Sequence, residues 1–360
     1  MAKPQKNILR KINLALQGGG SHGAYTWGVL DRLLEDGRLD IEGISGTSAG
    51  AINAAVMLDG FVKGKAEGAR EALHAFWYRV SELGQFSPMQ PAPFQKLLRQ
   101  WNLDWSPTYA FFEAFTRLLS PYETNPLNLN PLRDVLEQSI DFPRLRESEE
   151  MKIFATATSV TTGQARTFNH HEITADALMA SACLPFMFQA VEIEGDHYWD
   201  GGYMGNPCIW PLTRNCTADD ILIVEINPIV RNQKPTSGME IINRLNEISF
   251  NASLISEMYA IQFINQLLDD HNISTDKYRK LHMHLISSHD AMVKLNASSK
   301  LNTSWDFLCH LHHLGREAAD RWLEKNFEKI GVESSVDIDA AFLAHRKHQP
   351  LKKTGNAVSV

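Results

Sequence analysis

Twice between Ile12 and Leu58 the chain passes from a short apolar run through a glycine-marked turn into helical periodicity. No other feature constrains the fold as much. "INLALQ" (Ile12–Gln17) reads as a short buried strand, and Trp27, Leu30, Leu33 and Leu34 then recur at helical spacing before Gly37, a stop signal. "LDIEGIS" reads as a second strand and "AGAINAAVML" as a helix of small residues. Strand, helix, strand, helix in that order implies an α/β fold with a parallel sheet and right-handed crossovers.

The first turn is ambiguous by itself. Gly18, Gly20 and Gly23 fit G-x-G-x-x-G, the spacing of a dinucleotide-binding loop, and Asp40 lies about where a ribose-binding acid would be sought. The end of the second strand weakens that reading. It is occupied by Gly46-Thr47-Ser48-Ala49-Gly50, a G-x-S-x-G sequence between a strand and a helix, and Asp40 falls at the opposite end of the same strand. In this context the glycines permit a sharp turn that lifts a serine hydroxyl clear of the sheet, next to a helix N-terminus that favours negative charge. Read alone, the motif is equally a tight turn. A serine nucleophile also needs donors for an oxyanion. Gly18, Gly19 and Gly20 end the neighbouring strand, and their backbone N–H groups can approach a reacting carbonyl because no side chains intervene. A flexible glycine turn is the plain alternative.

The base is the third requirement. Of the 14 histidines, His271, His282, His284 and His289 qualify by chain order alone, and nothing around them singles one out. A different candidate is Asp200, in "HYWDGG". With an ordinary pKa of about 3.9 an aspartate is a poor base. Flanking Tyr198 and Trp199, with water excluded, would raise that value and let it accept a serine proton. An Asp-Gly turn between strands is the alternative. His282-x-His284 and His310-x-His312-His313 have spacings that metal ligands use, but the two groups are far apart in sequence, and no metal is expected. The 4 cysteines show no C-x-x-C spacing.

Together, Gly18-Gly19-Gly20 with Gly23, Gly46-Thr47-Ser48-Ala49-Gly50 and Asp200-Gly201-Gly202, the last preceded by "ASACLPFMF", resemble the patatin-like phospholipases over roughly Ile12 to Pro228. The resemblance implies a three-layer α/β/α fold with a mainly parallel central sheet. It also implies lipid acyl-hydrolase activity through a Ser–Asp dyad without a catalytic histidine. Carried onto this chain, Ser48 is the nucleophile, Asp200 the general base, and Gly18, Gly19 and Gly20 the oxyanion hole; no cofactor is expected. The chain departs from the family at His22, where an arginine or lysine is usual. A titratable group there replaces a permanent cation, so His22 is a candidate substrate contact, expected to enhance activity on anionic substrates at acid pH.

Residues 12–230 are read as the catalytic core, with an aromatic and proline-rich insertion at 84–131 that resembles a cap. Phe111, Phe112 and Phe115, with Tyr109, Leu118 and Leu119, are its candidate acyl-chain contacts, or alternatively core residues. Residues 231–345 are expected to form a mostly helical C-terminal extension packed on the core, and 346–360 a solvated basic tail. The expected function is cleavage of acyl esters in phospholipids or lysophospholipids. An esterase or thioesterase acting on soluble acyl substrates and a non-catalytic lipid-binding module are the alternatives. A net charge of -7 argues against nucleic acid as a partner. The substrate is expected to be a lipid or acyl ester, and protein partners are unassigned. The N-terminus is basic without an apolar core, and no run approaches the ~18 apolar residues of a membrane span. A cytoplasmic protein is the expectation, with peripheral membrane contact and export without an N-terminal signal left open.

Overall fold

The structure, a computed structural model, describes residues 9–85, 100–104, 106, 108–109, 118–232, 234–271, 273 and 277–343. Phe111, Phe112, Phe115 and the basic tail lie outside these residues.

Strand β1 (Arg10–Leu16) leads through the glycine loop and a short 3-10 turn into helix α1 (Gly23–Asp36). The helix ends at Gly37, whose φ of 68° turns its N–H back onto the Leu33 carbonyl. Strand β2 (Leu39–Thr47) follows and runs into α2 (Ala49–Gln85), which is interrupted by non-helical geometry at Gly64 and Lys65. After α3 (Leu132–Ser139) come β3 (Lys152–Ser159) and β4 (Ala165–Asn169), the hairpin that the turn at Thr161–Gln164 predicts. Then follow α4 (Ala175–Ser181), the short hairpin β5 (Val191–Ile193) and β6 (Asp196–Asp200), α5 (Trp210–Asn215) and β7 (Asp220–Val224). The C-terminal region adds α6 (Gly238–Asp269), β8 (His282–Ile286) and α7 (Trp305–Asn326).

The strands join in the order β5-β6-β3-β2-β1-β7-β8, with β4 also on β3. β3, β2, β1, β7 and β8 run parallel, while β4 and β6 lie antiparallel to β3, so the sheet is mixed but mainly parallel. Alternation along the strands divides the interior. Ile12, Leu14 and Leu16 of β1 enter a core with α1, α2, α4 and α7, whereas Ala15 enters a second core with α5 and α6. Leu222 and Val224 of β7 face the first core, Ile221 and Ile223 the second. Helices therefore cover both faces, in three layers.

The C-terminal region is largely helical, but "HMHLI" supplies β8, an edge strand that the sequence reading did not include. Helix α7 packs along α1, where Asp31 is bonded by Arg70 from α2 and by Arg316 and His312 from α7. Among the described residues no helix is long and apolar enough to cross a membrane.

Candidate active site

Register brings Ser48 and Asp200 together. β2 pairs with β3 through Gly43–Thr47 opposite Lys152–Thr156, and β6 pairs with the next β3 residues, Asp200 opposite Ala157. β4 spans both stretches of β3, so β2 and β6 must share the other edge, one ending where the other ends. The turn after β2 thus meets the last residue of β6.

That turn is strained. Ser48 has a φ of 53°, a left-handed conformation that non-glycine residues rarely adopt. Its N–H donates to the Ser181 hydroxyl at 2.8 Å, and that hydroxyl donates to the Thr156 carbonyl at 2.6 Å, which ties the elbow to α4 and β3. Thr47 is fixed from below by its hydroxyl on the Gly205 carbonyl at 2.5 Å. Gly18 must be glycine: a Cβ there would stand 2.5 Å from the Thr47 carbonyl oxygen and 2.7 Å from the Ser48 Cβ.

Asp200 is anchored by its backbone, which donates to the Cys183 carbonyl at 2.7 Å and accepts from the Thr158 hydroxyl at 2.8 Å. Its carboxylate accepts the Gly202 N–H at 2.7 Å, and Ser48 lies near enough to favour its ionised form. The group is 2% exposed. Burial pushes its pKa up to about 6, against the opposing pull of the Gly202 N–H, Ser48 and Lys300. An aspartate moved this far is a serviceable base near neutrality.

The glycine loop sits on a buried amide lattice. Gln17 Oε1 accepts the N–H groups of Ile226 and Asn227, and its Nε2 reaches the Asn206 carbonyl and Asn251 Oδ1. Asn206 Oδ1 takes the Gly18 N–H at 2.6 Å, and Asn227 Nδ2 donates to the Gly18 carbonyl at 2.7 Å. The Gly18 N–H is therefore engaged by protein. The Gly19 and Gly20 N–H groups have no acceptor among the described residues.

Ser48, Asp200 and the three glycines open on one cavity of about 570 Å³. Its walls are mainly apolar and include Phe76, Trp77, Val80, Leu132, Met187 and Phe188. The described residues of the insertion reach it through Gly84 and Pro131, and Leu103 is buried against the C-terminal region, its N–H on Ser298 Oγ at 2.8 Å.

His22 departs from the sequence expectation. It does not line the cavity; its ring is buried on the edge of Phe307, with Nε2 2.8 Å from Ser299 Oγ. Burial, Lys300 and Arg231 push its pKa well below the ordinary histidine value, so it is no titrating cation near neutrality. Among the described residues the basic side chain that lines the cavity is instead Lys300, which sequence reasoning missed. None of His271, His282, His284 and His289 lines the cavity either. His284 and His282 meet Asp220 at the start of β7, at the opposite end of the parallel strands from Ser48. Among the described residues no group of three or more histidine, cysteine or acidic side chains is placed to hold a metal ion.

Residues 14–213 match the family model described as patatin-like phospholipase. Two solved structures resemble the chain at low identity. VipD from Legionella pneumophila is 15% identical, with 93% of this chain and 73% of that chain covered and a TM-score of 0.37. Full-length ExoU from Pseudomonas aeruginosa, in complex with SpcU, is 16% identical, with 88% of this chain covered and a TM-score of 0.36; the present chain spans 53% of it. No curated protein matches the sequence.

Proposed function

The chain belongs to the patatin-like phospholipase family, a membership that supports lipid hydrolase activity, and we propose that it cleaves acyl esters of phospholipids or lysophospholipids through an acyl-enzyme on Ser48. One observation carries this proposal: Ser48, on a strained turn, and the buried carboxylate of Asp200 meet at one edge of β3 and open on the same apolar cavity.

Asp200 accepts the Ser48 proton as Oγ attacks the ester carbonyl carbon. The carbonyl oxygen becomes an oxyanion that the Gly19 and Gly20 N–H groups stabilise. Collapse expels the alcohol, which takes the proton from Asp200. Water then gives a proton to Asp200 and attacks the acyl carbon, and Ser48 leaves and regains its proton. Gly18 serves this scheme differently, by letting the loop approach the serine. The apolar walls suit an acyl chain, which binds by burial rather than by polar contacts.

The test is hydrolysis of a series of acyl esters from short to long chain, with phosphatidylcholine and lysophosphatidylcholine as vesicles and micelles. Rates that rise with chain length and with lipid aggregation support the proposal. A preference for short, soluble esters or for thioesters would move the activity to another substrate class.

A further inference from the structure

Lys300 lies outside the segment that matches the family, yet it stands beside the glycine loop. It belongs to the short turn Ser298–Leu301, and its carbonyl oxygen would be 2.6 Å from a Cβ placed on Gly20, so the turn and the loop are in close contact. Lys300 is half-buried and lines the cavity; burial draws its pKa below the ordinary lysine value, Glu247 and Asp200 favour its charged form, and Arg231 opposes it. Nζ donates to Asn227 Oδ1 at 2.7 Å and lies 5.7 Å from the centre of the Phe250 ring.

Asn227 passes the polarisation on. Its Nδ2 donates to the Gly18 carbonyl at 2.7 Å, and that carbonyl shares one peptide unit with the Gly19 N–H. A hydrogen bond into the oxygen of a peptide strengthens the donor at its other end, and a charge at the head of such a chain strengthens it further. We propose that Lys300, acting through Asn227, is the positioning residue that polarises the Gly18–Gly19 peptide and so sets the strength of the oxyanion hole. The cation that the glycine loop itself lacks is supplied from the C-terminal region. This inference rests on the assignment of Ser48 as nucleophile.

The charged groups facing Lys300 are Asp200 on β6, Glu247 on α6 and Arg231 ahead of that helix, and His22 lies close by. Asp200 is faced in turn by Ser48, the Gly202 N–H and Lys300, with the neutral Cys183 and Tyr203 beside it. Lys300 favours the ionised form of Asp200, so its removal shifts the acid limb of the pH profile to higher pH.

The experiment compares full-length wild type, Lys300→Met, Lys300→Arg, Asn227→Ala and the Lys300→Met/Asn227→Ala double variant. Each is assayed for hydrolysis of a medium-chain p-nitrophenyl ester across pH, with a Ser48→Ala control and thermal melts to confirm folding. The relay predicts a fall in kcat of about 10²-fold for Lys300→Met and for Asn227→Ala, with KM unchanged. It also predicts a double variant no slower than the slower single one, partial recovery in Lys300→Arg, and an upward shift of the acid limb in Lys300→Met. If Lys300→Met does not fold, Lys300→Arg and Asn227→Ala carry the same comparison. Wild-type kcat in Asn227→Ala, or effects that simply add, overturns the relay and leaves Ser48 in place. A folded wild type whose turnover does not need Ser48 overturns both.

Discussion

Ser48 and Asp200 are brought together by a single edge of one strand: Thr47 pairs with Thr156 of β3, and Asp200 pairs with the next residue, Ala157. The two carriers run in opposite directions along that edge and end against each other, so the serine turn and the acid converge, and among the described residues no histidine lines the cavity they share.

The raised pKa of Asp200 predicts the pH profile. In the proposed mechanism Asp200 must be ionised to accept the serine proton, so kcat/KM should fall by about tenfold per pH unit below a midpoint near the value of about 6 given by burial. A profile flat down to pH 4.5 would show that Asp200 does not act as base.

The same shift predicts a gain in stability when the charge is removed. The pKa of Asp200 in the fold, about 6, exceeds the ordinary 3.8, so the folded state binds the proton more tightly than the unfolded one. Stability is then lost as pH rises from about 4 to about 6 and stays lower above, by roughly 3 kcal/mol for a shift of this size. Asp200→Asn should therefore melt higher than wild type at pH 8 and level with it near pH 4, while losing turnover. Equal melting temperatures at both values would contradict the burial cost.

Much of the site was legible in the sequence because its parts are local. The glycine loop, the serine turn and Asp200-Gly201-Gly202 each lie within a few residues, and each requires a backbone shape that the residue types announce. The parallel order of β1 and β2 followed from helical periodicity between two apolar runs. What could not be read is what distant segments contribute. Gly18 and Asn206 are 188 residues apart, and Lys300 and Asn227 are 73 apart. Nothing in the local sequence singles out Asn206 or Asn227; only the fold shows that both asparagines grip one residue, Gly18. His22 misled for the same reason: its neighbours in sequence put it in the glycine loop, whereas Ser299 and Phe307 of the C-terminal region bury it. β8 escaped notice because it is only five residues long and two of them are histidines, one of which, His284, the fold buries completely.

Close approach predicts which glycines tolerate a methyl group. At Gly18 it would press on the Thr47 carbonyl oxygen and the Ser48 Cβ, neither of which can yield without moving the Ser48 turn. At Gly19 it would meet the end of the Ile226 side chain at 2.9 Å, which can turn aside. Gly18→Ala should cost about 10²-fold or more in kcat, and Gly19→Ala far less, measured on one ester under identical conditions. The reverse order would mean that the loop does not pack on Ser48 as described.

The most direct test of the account is covalent labelling by a fluorophosphonate, followed by mass spectrometry of the labelled peptide, in wild type, Ser48→Ala and Asp200→Asn. The account predicts a single adduct on Ser48, none in Ser48→Ala, and labelling slowed by several orders of magnitude in Asp200→Asn, whose amide cannot accept the proton. Labelling that persists in folded Ser48→Ala, or a wild type modified at another residue, would contradict it.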